Sequence, residues 1–241
     1  MKIIEKLKAK NDDVFHHKAP VIAIFGDSMS AGCFELYTRP DNWVEPKMDP
    51  SSAYDVHIRE ILVKLFPESS PVIINASRSG GRCKGEKERL ERDVLSFHPD
   101  LVVVAFGLND ANGKEEEIGL FDDALCEVFD KIHATGAEVI FLTPQVRCAE
   151  RSPEVTDVAV LKHIDRISAG EREGWLLRYM DVARDVCRRK GVPVCDCIRL
   201  WESFRESGVD VNLLMSNKIN HPTREWHWQF AYELVKTMFL N

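Results

Sequence analysis

Short, wholly apolar runs recur along this chain, each followed by a stretch of helical spacing, and this alternation restricts the fold more than any other feature. Val21-Ile22-Ala23-Ile24-Phe25 holds no polar residue, as a strand buried on both faces requires. Pro71-Val72-Ile73-Ile74-Asn75, Leu101–Phe106 and Val139–Leu142 repeat the pattern, and Val192-Pro193-Val194 offers a shorter fifth strand. Between them, apolar residues fall three and four apart. Ile58, Ile61, Leu62 and Leu65 form one such stripe, with Ser51-Ser52 as its candidate cap and Pro67 beyond its end. Glu86 to Phe97 reads as a second helix, and Phe121, Leu125, Val128, Phe129 and Ile132 mark a third that stops at Gly136. Leu176–Arg189 and Trp226–Leu240 supply two more. Such alternation implies an α/β fold with an open, five-stranded, mostly parallel sheet and helices on both faces.

No domain-scale linker or repeat interrupts this order, so residues 1–241 are read as one domain with three additions. Residues 1–18 form a lysine-rich helical extension whose Ile3, Ile4 and Leu7 pack on the domain or on a second subunit, leaving an oligomer open. Residues 33–50 and 147–174 are insertions beside the expected cleft, the latter with a short helix around Val158–Ile167. A net charge of −7 opposes an extended phosphate-backbone partner, so no nucleic acid is expected. The longest apolar run, Leu101–Phe106, is too short to span a membrane, and Met1–Lys18 lacks the apolar stretch of a signal peptide. Seven scattered cysteines suit reduced thiols, and a cytoplasmic location follows as the expectation.

In open parallel sheets, ligands sit outside the carboxyl ends of the strands. After the first strand comes Gly26-Asp27-Ser28-Met29-Ser30-Ala31-Gly32. A serine at a strand-to-helix turn has an exposed hydroxyl near backbone N–H groups, which suits a nucleophile that must also stabilise an oxyanion. After the second strand, Ser79-Gly80-Gly81 lets backbone N–H groups approach a ligand. Gly107-Leu108-Asn109-Asp110 follows the third and offers a side-chain amide donor. Asn220-His221-Pro222 precedes the last helix and sets an imidazole on a loop, where it can act as a general base. No metal or other cofactor is expected, because neither His16-His17 nor the His221/His227 pair carries a ligand spacing.

The order Gly-Asp-Ser, Gly, Gly-x-Asn-Asp, His-Pro, spread from Gly26 to Pro222, resembles the SGNH hydrolases, also called the GDSL esterase/lipase family. The resemblance implies a flavodoxin-like three-layer α/β/α sandwich and a serine hydrolase acting on acyl esters. It implies Ser28 as nucleophile and His221 as base. The oxyanion donors would be the N–H of Ser28, the N–H of Gly80 and the amide of Asn109.

One departure stands out. Many family members have an aspartate three residues before the histidine, where this chain has Lys218. Ser216-Asn217-Lys218-Ile219-Asn220-His221-Pro222 reads as the family's pattern with one extra residue, so Asn217 falls in the aspartate's place. A backbone carbonyl or Asn217 is favoured to orient His221; Asp210 or Glu225 could instead fold back to it. Asp27, Tyr37 and Trp43 are candidate substrate contacts, the two aromatics either stacking on a sugar or anchoring a loop. A small ester with a short acyl group, acetyl first, is the expected substrate, with a saccharide as one candidate for its alcohol half. An acyltransferase and a degenerate carbohydrate-binding module are the competing readings.

Overall fold

The computed structural model describes residues 1–241. Its chain runs α1 (Lys2–Asp12), β1 (Val21–Gly26), the hairpin β2 (Cys33–Thr38) and β3 (Val44–Met48), α2 (Tyr54–Leu65), β4 (Val72–Asn75), α3 (Cys83–Glu86), α4 (Leu90–Asp93) and β5 (Leu101–Ala105). It continues through α5 (Lys114–Ala134), β6 (Glu138–Leu142), α6 (Val158–Arg172), α7 (Trp175–Lys190), β7 (Val194–Cys195), α8 (Ile198–Glu206) and α9 (Arg224–Leu240). Five strands pair in the order β4-β1-β5-β6-β7, every neighbouring pair parallel. The apolar runs explain this: β1 and β5 are flanked on both sides, and all five residues of β5 are buried.

The connections from β1 to β4 and from β5 to β6 travel in opposite directions along the sheet. Right-handed crossovers therefore place their helices on opposite faces. On one side α2 packs on α9, which also meets α1; on the other α5 packs on α7. The winding reverses between β1 and β5, and there the loops after adjacent strands diverge and leave a crevice. Ser28 follows β1 and Asn109 follows β5, so the reversal itself brings the two segments to one place.

Several elements differ from the sequence expectation. Ser51 and Ser52 do not cap α2; their hydroxyls donate to Asp49, and Ala53 stands at the helix start. The expected helix Glu86–Phe97 is broken into α3, α4 and two short 3-10 turns. Buried Glu86 must be paired there, and Arg89 turns back to it while also reaching the Ala76 carbonyl. The run then ends at His98, held in a left-handed conformation before Pro99. The fifth strand is Val194–Cys195, because Pro193 has no N–H and joins the ladder only through its carbonyl. Residues 33–50 form the antiparallel hairpin, and the helix of the second insertion runs on to Arg172. Helix α8 was not anticipated, although Ile198, Trp201 and Phe204 stand three apart. In α1, Ile3 and Leu7 are buried against the chain's own core, and the N–H groups of Lys2 and Ile3 donate to Glu138.

Candidate active site

The segment after β1 is a single tight turn rather than the helix start expected. Ala31 N–H donates to the Asp27 carbonyl, and Cys33 N–H to that of Ser28, before β2 begins. Gly26 is required beneath it: a Cβ there would lie 2.6 Å from Ser30 Oγ and 2.9 Å from the Ala105 carbonyl. The turn leaves Ser28 almost wholly buried, with Oγ 2.9 Å from His221 Nε2.

His221 Nδ1 lies 3.0 Å from the Phe34 carbonyl oxygen. A carbonyl only accepts, so Nδ1 carries the proton and Nε2 presents a lone pair to the Ser28 hydroxyl. The carbonyl is free to do this because the β2–β3 register shifts between Cys33 and Leu36, which takes Phe34 out of the ladder. Arg224 clamps the same stretch. Its guanidinium lies 4.2 Å over the Phe34 ring and donates to Glu35 and Asp49. Burial pushes the His221 pKa down to about 4; the carbonyl acts in the opposite sense but does not offset it.

Asn217 occupies the loop differently from the sequence expectation. Its Oδ1 accepts from the backbone N–H groups of Ile219, Asn220 and His221 at 2.9, 2.9 and 3.0 Å, so it shapes the backbone and leaves the imidazole to Phe34. Asp210 is exposed and accepts from Asn212 N–H at the start of a 3-10 turn. Glu225 is exposed in the first turn of α9. Neither bonds to His221, because helix-end N–H donors and solvent already satisfy carboxylates so placed.

Ser28, Gly80, Asn109, Asn217 and His221 line one cleft of about 300 Å³. Gly80 has φ +75° and its Cβ position opens on empty space, so only glycine presents this backbone to the cleft without strain. Asn109 Nδ2 donates to the Gly81 carbonyl at 3.1 Å, which keeps its amide beside the glycine loop. Sequence reasoning had given Asp110 no role. Its carboxylate accepts from Cys83 N–H at 2.9 Å and Gly107 N–H at 3.0 Å, tying together the loops that follow β4 and β5. The buried Arg147, also unanticipated, donates to the Leu108 carbonyl and to Asn112 Oδ1, and pairs with Glu171. Its only sequence signal was a lone arginine just beyond an apolar strand.

The three candidate substrate contacts separate. Asp27 is buried, accepts from Met29 N–H and does not line the cleft; burial raises its pKa to about 7. Tyr37 turns outward and donates to Glu45, since strand alternation gives the cleft face to Leu36. Trp43 lines a neighbouring groove outside the Ser28 cleft.

The parallel sheet, with helices on both faces and a hydroxyl–imidazole contact at its switch point, defines an α/β protein of flavodoxin-like layout. Residues 24–229 match the GDSL-like lipase/acylhydrolase family, and the chain belongs to it. It is thus a hydrolase acting on ester bonds. Among curated proteins none matches the chain. Among solved structures, an α/β hydrolase, LAE5, from the metagenome of Lake Arreo is similar at TM-score 0.65 and 22% identity, over 92% of this chain and 96% of that one. A catalytic mutant of the acetylxylan esterase Axe2 from Geobacillus stearothermophilus gives 0.67 and 15%, over 93% and 96%. A two-domain esterase active on acetylated mannans, co-crystallised with mannopentaose, gives 0.67 and 19%, over 99% of this chain and 52% of that one. These likenesses are ones of fold. No helix is long and apolar enough to cross a membrane.

Proposed function

We propose that this chain, acting as one domain, is a serine esterase that removes short acyl groups, acetyl foremost, from carbohydrate esters. The observation that carries the reading is the buried contact of Ser28 Oγ with His221 Nε2 at 2.9 Å, with the tautomer set by the Phe34 carbonyl. Ser28 Oγ attacks the ester carbonyl carbon as Nε2 takes its proton, and the carbonyl electron pair moves onto oxygen. That oxyanion falls to the N–H groups of Ser28 and Gly80 and to the Asn109 amide. Its collapse breaks the bond to the alcohol, which leaves with the proton from Nε2. Water then repeats the sequence on the acyl-serine and releases the acid. The cleft's modest volume supports a short acyl group, and the saccharide rests on the esterases of acetylated xylan and mannan that share the fold.

A carboxylate in the usual triad fixes the tautomer and steadies the imidazolium; replacing it by an amide costs about 10,000-fold in a serine protease, chiefly through the wrong tautomer. Here the carbonyl supplies the tautomer, so only the charge stabilisation is forgone. The test is labelling with a fluorophosphonate, read by intact mass. One adduct that maps to Ser28, absent in Ser28→Ala together with p-nitrophenyl acetate turnover, is expected. An unlabelled chain, or a Ser28→Ala protein of undiminished activity, overturns the reading.

A further inference from the structure

Resting on that esterase reading, we propose that the sugar half of the substrate carries a negative charge, a carboxylate or a phosphate, held by Lys162 and Arg166 beside Trp43. A groove of about 890 Å³ lies between the hairpin turn and α6, and it shares Val44, His163 and Arg166 with the Ser28 cleft. The two hollows therefore adjoin, with Arg166 on the lining of both. Trp43 and Val158, 65% and 67% exposed, line this groove and give a ring an apolar surface.

The charge pattern decides the ligand. The protein carries a net charge of −7, yet no aspartate or glutamate lines either the groove or the cleft. Lys162 and Arg166 stand one helical turn apart on the same face of α6, close enough to straddle one anion. Both are exposed, and neither pairs with a carboxylate; Arg166 spends one N–H on His163 Nδ1 at 3.1 Å and keeps the rest of its fork. The nearby carboxylates are occupied. Asp157 caps α6, Asp165 pairs with Arg151, Asp41 with Arg39, and Glu154 with Lys218. Two free cations beside an exposed tryptophan, in a groove that adjoins the candidate reaction cleft, make an anionic glycoside the chemistry that fits.

Three methyl glucosides, acetylated at the same hydroxyl and differing only at C6 as alcohol, carboxylate or phosphate, test this. The expected result is a kcat/KM at least about tenfold higher for one or both charged esters than for the neutral one, shrinking in about 0.5 M salt. In the Lys162→Gln/Arg166→Gln double variant the preference falls toward one, a ratio that a general loss of activity does not move. Which charged ester leads identifies the anion. Calorimetric binding of the same three esters to Ser28→Ala protein gives an arm independent of turnover, with the same ranking expected. Equal rates for all three, or a preference that survives the double variant, overturn the inference and leave the esterase reading intact. Turnover of p-nitrophenyl acetate with none of the glycosides overturns it as well. Should no ester be cleaved and no fluorophosphonate adduct form, the esterase reading fails. The calorimetry then judges the groove alone, and equal affinities overturn its assignment.

Discussion

The cleft has two sides built on different principles. Its floor, with Ser28, Gly80 and Asn109, stands on loops that leave β1, β4 and β5, the sheet's first strand and its two neighbours. Its wall, with Leu36, Val44, His163, Arg166 and the loop that carries His221, belongs to the hairpin, α6 and residues 215–222. The floor is cross-tied by short backbone bonds to Asp110 within the main core. The wall rests on a separate small cluster, Cys148, Val160, Ile164, Ile167 and Ile219, against which Leu36 and Val44 pack. A floor fixed by the sheet suits the step common to all esters. A wall with its own small core can change with the substrate while the floor stays put.

Substitution on the floor should cost most. Asn109→Ala removes one proposed oxyanion donor, and kcat is expected to fall about 100–1,000-fold with KM little changed. Steady-state kinetics on p-nitrophenyl acetate read this directly. A KM effect without a kcat effect would move Asn109 from the proposed chemistry to ground-state binding.

The contact between floor and wall should show in the pH profile. In the proposed mechanism His221 must be neutral to accept the Ser28 proton, and its burial holds the pKa down to about 4. Activity is therefore retained as pH falls through the ordinary imidazole range and lost only toward pH 4, where Nε2 becomes protonated. Asp27, raised to about 7, titrates in the ordinary imidazole range, but its carboxylate accepts from Met29 N–H and does not line the cleft. The limb near pH 4 should accordingly persist in Asp27→Asn. A limb near 6 belongs to Asp110, whose burial raises it to about 6, if Asp110→Asn removes it. One that survives that change means that His221 is more solvated, or has a closer negative charge, than this arrangement provides.

The two sides also differed in how far the sequence disclosed them. Floor residues follow apolar strands directly, and the glycines and the amide are types that few other purposes require together, so order along the chain was enough to find them. The wall depends on contacts between residues far apart in sequence. Phe34 serves through its carbonyl, which no side-chain pattern marks, and only because the hairpin register slips beside it. Arg147 acts from beneath the Asn109 loop, 39 residues away from the Leu108 carbonyl that it meets. The break at Glu86 was equally hidden, since periodicity reports a buried face and not the pairing that a buried carboxylate demands. Tyr37 stayed between the two readings for a simpler reason: without the hairpin register, nothing said which strand face met the cleft.

On the wall, Asn217→Ala is the next largest expected effect. It removes one acceptor of three backbone N–H groups within a buried loop. A loss of about 1–3 kcal/mol in stability follows from leaving such donors unpaired, measurable by urea denaturation. The rate should fall too, as His221 loses its anchorage. Asn217→Asp keeps the acceptor and should recover more rate than Ala does. Equal losses in the two variants would instead implicate the Asn217 amide, which donates to Asn220 Oδ1 at 3.0 Å.

Asp210→Asn should do least, and for that reason it sharpens the contrast most cleanly. If a distant carboxylate steadied the imidazolium, removing its charge would raise the barrier as the equivalent change does in a serine protease triad, by orders of magnitude. In this chain Asp210 is exposed and bonds to Asn212 N–H, a contact that an asparagine side-chain oxygen can also make. Stability should therefore move by no more than about 0.5 kcal/mol, and kcat/KM should stay within about twofold of the parent. A large loss of kcat with an unchanged melting transition would put Asp210 on the imidazole during turnover. That would require the 210–221 segment to rearrange, and the Phe34 carbonyl would then be a resting partner that His221 leaves when it works.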